Sequence, residues 1–150
     1  MNNDFMVKIR NASHSDCESI HVLNRLGLGY DYSPEKTQQQ LGRVLDNPNS
    51  KLLVAEVDGC IAGYIHAVDY DCTYTDSLKN ILAIVVDERC RGKNLGRLLL
   101  SEIEKWAKDE GSSGVRLVSG MDRTGAHKFY KACGYSLRKE QMNFIKIFKE

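Results

Sequence analysis

The chain is short of the residues that divide a polypeptide. It has two prolines in 150 residues and no repeat or low-complexity tract. Nothing reads as a linker, so a single domain spanning 1–150 is expected, inside the roughly 100–200 residues usual for one domain. No apolar run approaches the roughly 18 residues of a membrane span. The first ten residues lack the long apolar stretch of a secretory leader, so none is expected there. Neither sign of charge is in excess: Lys and Arg number 21, Asp and Glu 20, for a net charge of +1. That balance argues against a general nucleic-acid binder and against a polybasic membrane-surface protein. The five cysteines (Cys17, Cys60, Cys72, Cys90, Cys133) are odd in number and scattered, and no pair has Cys-x-x-Cys spacing. This speaks against a zinc knuckle or a redox dithiol. Reduced thiols, no metal and a cytoplasmic location are the expectation.

What the chain does have is a globular mixture, 42% hydrophobic and 27% charged, and clear periodicity. Residues 6–11 alternate as a half-buried strand. Ser15 and Glu18 have the spacing of a capping box, ahead of a helix with Ile20, Leu23 and Leu26 on its stripe and Gly27 as its stop. A second helix is expected from Ser33-Pro34 to about Asn47. Strands at 52–57 and 61–68 flank Asp58-Gly59, a tight-turn signal. The run 81–86 (ILAIVV) is apolar throughout, as in a strand covered on both faces. Residues 95–110 form the clearest helix, with Leu95, Leu98, Leu99, Ile103, Trp106 and Ala107 on one stripe. A strand at 115–119, a short helix at 124–133 and two last strands at 135–137 and 143–148 complete the order. The alternation points to one mixed sheet packed with helices.

The chemistry lies in 87–99, DERCRGKNLGRLL. An apolar strand runs into a turn with Gly92 and Gly96, and then into an amphipathic helix. The first N–H groups of a helix have no partner within it and point along the positive end of its dipole, which makes an anion site. Glycine lets a phosphate approach closely. Asn94 tolerates the left-handed backbone that a third glycine would allow. Arg91, Lys93 and Arg97 add positive charge. A Walker A loop would need Ser or Thr after Gly-Lys, and Asn94 stands there. The dinucleotide fingerprint Gly-x-Gly-x-x-Gly is absent. A glycine turn with surface cations would give the same pattern without binding anything.

The second informative stretch is 126–135, AHKFYKACGY. If the strand at 115–119 pairs with 81–86, the following helix returns to the end of the sheet that carries the glycine turn, and Tyr130 faces the cleft. A tyrosine packed in the core is the alternative.

The loop Arg91-Gly92-Lys93-Asn94-Leu95-Gly96, the order of elements and the Phe129-Tyr130 helix together resemble the acetyl-CoA-binding core of the GNAT family of N-acetyltransferases. The family loop is written Arg/Gln-x-x-Gly-x-Gly/Ala, and here Asn94 replaces the first glycine. The resemblance implies an α/β (α+β) fold, a single mixed and mostly antiparallel sheet with helices on both faces and a central, splayed pair of parallel strands. It implies that acetyl-CoA is the cosubstrate, with no metal. The pantetheine arm would lie along Ile84, Val85 and Val86, and the pyrophosphate on Arg91, Gly92, Lys93, Asn94, Leu95, Gly96 and Arg97. Asp122 stands where relatives often have an Asn that touches the cofactor arm.

By the same resemblance Tyr130 is the general acid for the CoA sulfur, and its phenol, with a pKa near about 10, stays protonated at neutral pH. Some relatives carry a Glu near the start of the central strand, but 77–82 here has no carboxylate. Asp69, Asp76 and His66 are nearby in sequence, and ordered water is an equal candidate for the base. The loop 27–33 commonly walls the acceptor pocket, so Tyr30, Asp31 and Tyr32 are the candidate acceptor residues, suited to a cationic amine. Asp69 to Asp71 form a second acidic run. An aminoglycoside, a polyamine or a peptide or lysine amine would fit. A catalytically silent acetyl-CoA sensor or assembly module is the competing reading. Neither nucleic acid nor membrane is an expected partner. The apolar stretch 144–148 offers a sheet-edge contact for a homodimer.

Overall fold

The computed structural model describes residues 6–148. In chain order the elements are β1 (Val7–Asn11), a 3-10 turn (His14–Asp16), α1 (Cys17–Leu23), a π-helical turn (Asn24–Leu28), α2 (Pro34–Asp46), β2 (Ser50–Val57), β3 (Cys60–Cys72), β4 (Thr75–Val86), a 3-10 turn (Glu88–Cys90), α3 (Leu95–Asp109), β5 (Gly114–Leu117) and α4 (Thr124–Ala132). The strands form one sheet in the order β1-β2-β3-β4-β5. The first three junctions are antiparallel and β4–β5 is parallel. By contacts the chain divides into two compact units, Met1–Val118 and Ser119–Glu150. The sheet lies wholly in the first and α4 in the second.

Local chemistry accounts for most of the boundaries. Ser33 caps α2 by accepting from the Lys36 N–H at 3.1 Å, with Pro34 in the first turn. Asp58 (φ 51°) and Gly59 (φ 84°) are both left-handed, as the two-residue turn between β2 and β3 requires. The start of α1 differs from expectation. The reciprocal cap is Ser13 with Asp16, not Ser15 with Glu18: the Ser13 N–H donates to Asp16 Oδ2 at 2.8 Å. Asp16 also takes a two-pronged bond from Arg10 at 2.8 and 2.9 Å, which an exposed Glu18 could not receive. Nor does Gly27 end the helix. The chain widens into the π-helical turn and stops at Gly29, which is left-handed at φ 79°. The wider turn moves Leu26 off the apolar stripe, and it is 72% exposed.

The core is centred on α3 against the sheet. Leu95, Leu99, Leu100 and Ile103 are fully buried, with Ile65 and Val54 from β3 and β2. Leu98, expected inward, is partly exposed, and Leu100 takes the inward place. The C-terminal end of α3 is tied to β3 and β4 by a buried cation. Lys79 Nζ lies 2.5 Å from Asp69 and 2.6 Å from Glu110, and 4.0 Å from the centroid of the Trp106 ring. Burial alone would lower the Lys79 pKa, but the two carboxylates outweigh it and the net shift is upward. No described helix is long and apolar enough to cross a membrane.

Two expected strands do not form. Residues 135–148 contain no strand, and β5 is the last member of the sheet. An apolar, alternating sequence reports that a segment would gain from burial. It does not supply the neighbouring edge whose N–H and C=O groups make it a strand. The parallel pair therefore sits at one end of the described sheet rather than at its centre.

Candidate active site

The site is built from β4 outward. β4 pairs with β5 only from Leu78 to Ile81, and among the described residues no strand pairs with it on that edge from Leu82 to Val86. The cause is local. Opposite β3, the register jumps from His66↔Ala83 to Ala67↔Ile81, so Leu82 is an extra residue and a bulge. A bulge bends its strand and ends pairing on the neighbouring edge, and this one follows directly on the last β4–β5 pair.

Strand parity sets which groups face the gap. The Asp87 N–H donates to the Ala62 carbonyl at 2.7 Å, so in this register Val85 and Ala83 direct their N–H and C=O toward β3. Those of Ile84 and Val86 point to the open side. Val85 is instead part of the floor: its backbone faces Tyr64 and its side chain is buried.

Two glycines allow close approach here. A Cβ on Gly63 of β3 would lie 2.7 Å from the Val85 carbonyl oxygen. One on Gly27, in the π-helical turn, would lie 2.2 Å from Val85 Cγ2. The turn thus rests directly on β4. It is pinned by Tyr64, whose buried hydroxyl donates to Asn24 Oδ1 and whose pKa is pushed up to about 12 by burial and the nearby Tyr30. Sequence reasoning missed Gly27, Asn24, Gly63 and Tyr64 as a set. The available signal was Gly63, since a glycine inside an apolar strand marks a bulge or a close contact.

Beyond Val86 the chain enters the glycine turn. Asp87 caps the 3-10 turn through the Arg89 N–H at 3.0 Å and pairs with the Arg89 guanidinium, which holds its carboxyl below the usual range. Gly92 is left-handed at φ 87°, and no heavy atom lies within 4 Å of where its Cβ would be. Asn94 is left-handed at φ 64° and immediately precedes α3 without a side-chain cap. Its carbonyl accepts from Leu98 at 3.1 Å, the first bond of the helix. Leu95 is buried and anchors the helix start, so it offers backbone rather than side chain. Arg91 is exposed and only loosely paired with Glu88, at 3.7 Å. Across 87–97 four cations face two carboxylates. A strand edge with open polar groups thus runs without interruption into a cationic helix start.

The remaining candidates are placed as follows. Tyr30, Asp31 and Tyr32 lie in the exposed loop after the π-helical turn, held by a 2.9 Å hydrogen bond between His21 Nε2 and the Tyr32 carbonyl. Asp69 is engaged by Lys79, and Asp71 accepts from Ser77 at 2.5 Å. His66 bonds Ser50 Oγ at 2.7 Å, and burial lowers its pKa. In the second unit Tyr130 lies on α4, half-buried between Phe129 and Tyr135, with ring centroids 5.6 and 6.3 Å away. Burial raises its pKa against an opposing effect of Arg123. Asp122 is exposed, just before α4. His127 is half-buried and its Nε2 lies 2.9 Å from the Gly120 carbonyl, within hydrogen-bond distance. Among the described residues no group of three or more His, Cys, Asp or Glu could hold a metal ion.

Residues 14–135 match the model of the acetyltransferase (GNAT) family. An uncharacterised N-acetyltransferase of Methanocaldococcus jannaschii is 28% identical over 94% of this chain and 66% of its own length. The chain thus spans a little under two-thirds of that relative. An aminoalkylphosphonate N-acetyltransferase of Salmonella typhimurium is 25% identical over 85% of this chain and 84% of its own. Among solved structures, an aminoglycoside N-acetyltransferase in complex with CoA superimposes with a TM-score of 0.86 at 15% identity, covering 97% of this chain and 98% of that one.

Proposed function

The chain belongs to the acetyltransferase (GNAT) family, and from that premise we propose that it transfers the acetyl group of acetyl-CoA to a primary amine. The match from 14 to 135 runs across both units, which supports treating 1–150 as one acetyltransferase domain. The observation that carries the reading is the continuity of the open β4 edge, beyond the bulge at Leu82, with the glycine turn and the start of α3.

An extended pantetheine arm can lie along Ile84 and Val86 as an added strand would. Val85 forms the floor beneath it. Either backbone N–H on that edge can polarise the thioester carbonyl as negative charge develops on its oxygen. The diphosphate then meets the backbone of Gly92, Asn94, Leu95 and Gly96, with Arg91, Lys93 and Arg97 as counter-charge. Asp122 can hydrogen-bond the amide-bearing arm. An amine attacks the carbonyl carbon directly, the C–S bond breaks, and Tyr130 donates its proton to the leaving thiolate. Its raised pKa keeps the phenol protonated at neutral pH. With Asp69 engaged by Lys79 and His66 engaged by Ser50, water is the best route for the amine proton.

The acceptor side is Tyr30, Asp31 and Tyr32. Ring faces and a carboxylate suit a cationic amine such as an aminoglycoside, a polyamine or a peptide amine. Five unpaired, scattered cysteines support a cytoplasmic setting. The absence of a carboxylate at 77–82 favours the second reading, an acetyl-CoA-binding module without turnover. Release of CoA thiol across a panel of amines decides between them. Acceptor-stimulated release supports the transferase. Slow hydrolysis that no amine accelerates supports the silent module.

A further inference from the structure

The bulge at Leu82 sets which side chains share a face of the sheet. By register, Tyr64 and Tyr70 of β3 lie on one face with Val85, Ala83 and Asn80 of β4, and Asn80 pairs with Arg116 of β5. Tyr64 and Val85 belong to the apolar cluster formed with Ile20 and Leu23 of α1 and Leu41 of α2, and Ala83 packs against it. Past Ala83 the same face carries Asn80, Tyr70 and Arg116. All of these residues belong to the first unit, Met1–Val118.

Arg116 is half-buried here. Its guanidinium carbon lies 4.3 Å from the centroid of the Tyr70 ring, and Nη1 donates to Asn80 Oδ1 at 2.7 Å. Both partners are neutral. Among the described residues no ion pair joins Arg116 to a carboxylate, whereas Arg10 has Asp16 and Glu56, and Lys79, on the other face, has Asp69 and Glu110. A guanidinium is permanently charged and presents a fork of donors that matches a carboxylate or a phosphate. Stacked and tied at one nitrogen, it loses little freedom when it receives such a group.

The strand places this group relative to the reaction. Asn80 and Arg116 stand two residues before the bulge beyond which β4 has left β5. At a rise of about 3.3 Å per residue they lie roughly 10–13 Å along the strand from Ile84, whose N–H faces the open edge. We propose that Arg116 binds an anionic group of the acceptor, a carboxylate or a phosphate, and so selects an amine that carries its negative charge several bonds from the nitrogen. The proposal deepens the transferase reading and rests on it. Tyr70 and Asn80 are the positioning residues. A polyamine or an aminoglycoside brings no anion, and its further cations meet a like charge at Arg116.

CoA-thiol release tests this with ω-amino acids of increasing length, each beside its amide, and with 4-aminobutyl phosphate beside 4-aminobutanol. The expected result is an anionic amine that exceeds its neutral counterpart about tenfold or more in kcat/KM, as for bonds to a charged group. The series with the larger ratio identifies the anion as carboxylate or phosphate. Arg116→Gln should bring that ratio down to about one, through the acceptor KM, with an unchanged circular dichroism spectrum. Arg116→Lys, which keeps the charge without the planar fork, should retain part of it. Neutral amines used as well as anionic ones by the wild type overturn the proposal, and so does a ratio that survives Arg116→Gln. Release that no amine stimulates counts against the transferase reading instead. Calorimetry of 6-aminohexanoate with the CoA-loaded protein then decides the anion site: binding that Arg116→Gln abolishes supports it, and binding absent from the wild type or kept by the variant overturns it.

Discussion

Gly27 and Val85 are in contact in a way that only glycine permits: a Cβ at position 27 would stand 2.2 Å from Cγ2 of Val85. Val85 is buried, and its β-branched side chain has few rotamers to retreat into. The contact brings the π-helical turn, and with it the loop of Tyr30, Asp31 and Tyr32, onto the strand that carries the open edge.

Gly27→Ala should therefore destabilise the protein by about 1–3 kcal/mol, the usual cost of overpacking. Gly27→Ala combined with Val85→Ala should be less destabilised than the sum of the two single variants, because each makes room for the other. Urea denaturation of the four proteins gives the coupling. Additive effects would mean that the turn does not press on Val85.

Gly92→Val should weaken acetyl-CoA binding while leaving the fold intact. The backbone at φ 87° is strained for any L side chain, at a cost of about 1–3 kcal/mol, and a branched residue narrows the anion approach. Calorimetry with CoA reads the effect. Wild-type affinity would remove the turn from the phosphate site.

Tyr130→Phe should lower turnover by roughly 10²–10⁴-fold, the range for a lost general acid, and change acetyl-CoA affinity little. The ring still packs against Phe129 and Tyr135. Equal turnover in steady-state kinetics would exclude the role.

Asp31→Asn should raise the acceptor KM by no more than about fivefold, because Asp31 is exposed and exposed ion pairs are worth about 0–1 kcal/mol. The acetyl-CoA KM should not move. The effect should fade with added salt, since screening acts fully on open charges. A large, salt-independent change would mean that the loop closes over the acceptor.

Asp16 should govern part of the acid limb of stability. Its carboxyl is held below the usual range first by hydrogen bonds from Arg10 and then by the Ser13 N–H, against burial. A depressed carboxylate pKa stabilises the fold above the unfolded value, near about 3.9, and that contribution is lost as pH falls through the folded value. Asp16→Asn should cost about 1–3 kcal/mol at pH 7, as for bonds to a charged group. The gap from wild type should shrink below about pH 4. Thermal melts across pH 2–7 test it, and a constant gap would contradict the assignment.

Elements with a strong period or a specific end signal could be read directly. α3 carries its stripe in sequence, α2 its Ser-Pro start, and the β2–β3 turn its Asp-Gly pair. The glycine turn was legible for the same reason: a left-handed backbone needs residues that tolerate it, and Gly92 and Asn94 supply them within a few residues. The left-handed angles of both fit that requirement. Gly27 was legible only as a glycine. Its spacing suits a helix stop, while its actual constraint comes from Val85, 58 residues away in sequence.

The sequence by itself determined the order of elements as far as α4 and the cationic turn between strand and helix. These follow from hydrophobic period and from local conformational preference, which neighbouring residues set. Tertiary structure alone decided where β4 leaves β5, which backbone groups face the gap, and that Asp69 is engaged by Lys79. It also decided that 135–148 forms no strand. Each of these depends on a partner distant in sequence, and a backbone N–H or a carboxylate acquires its role only from the group that the fold sets opposite it.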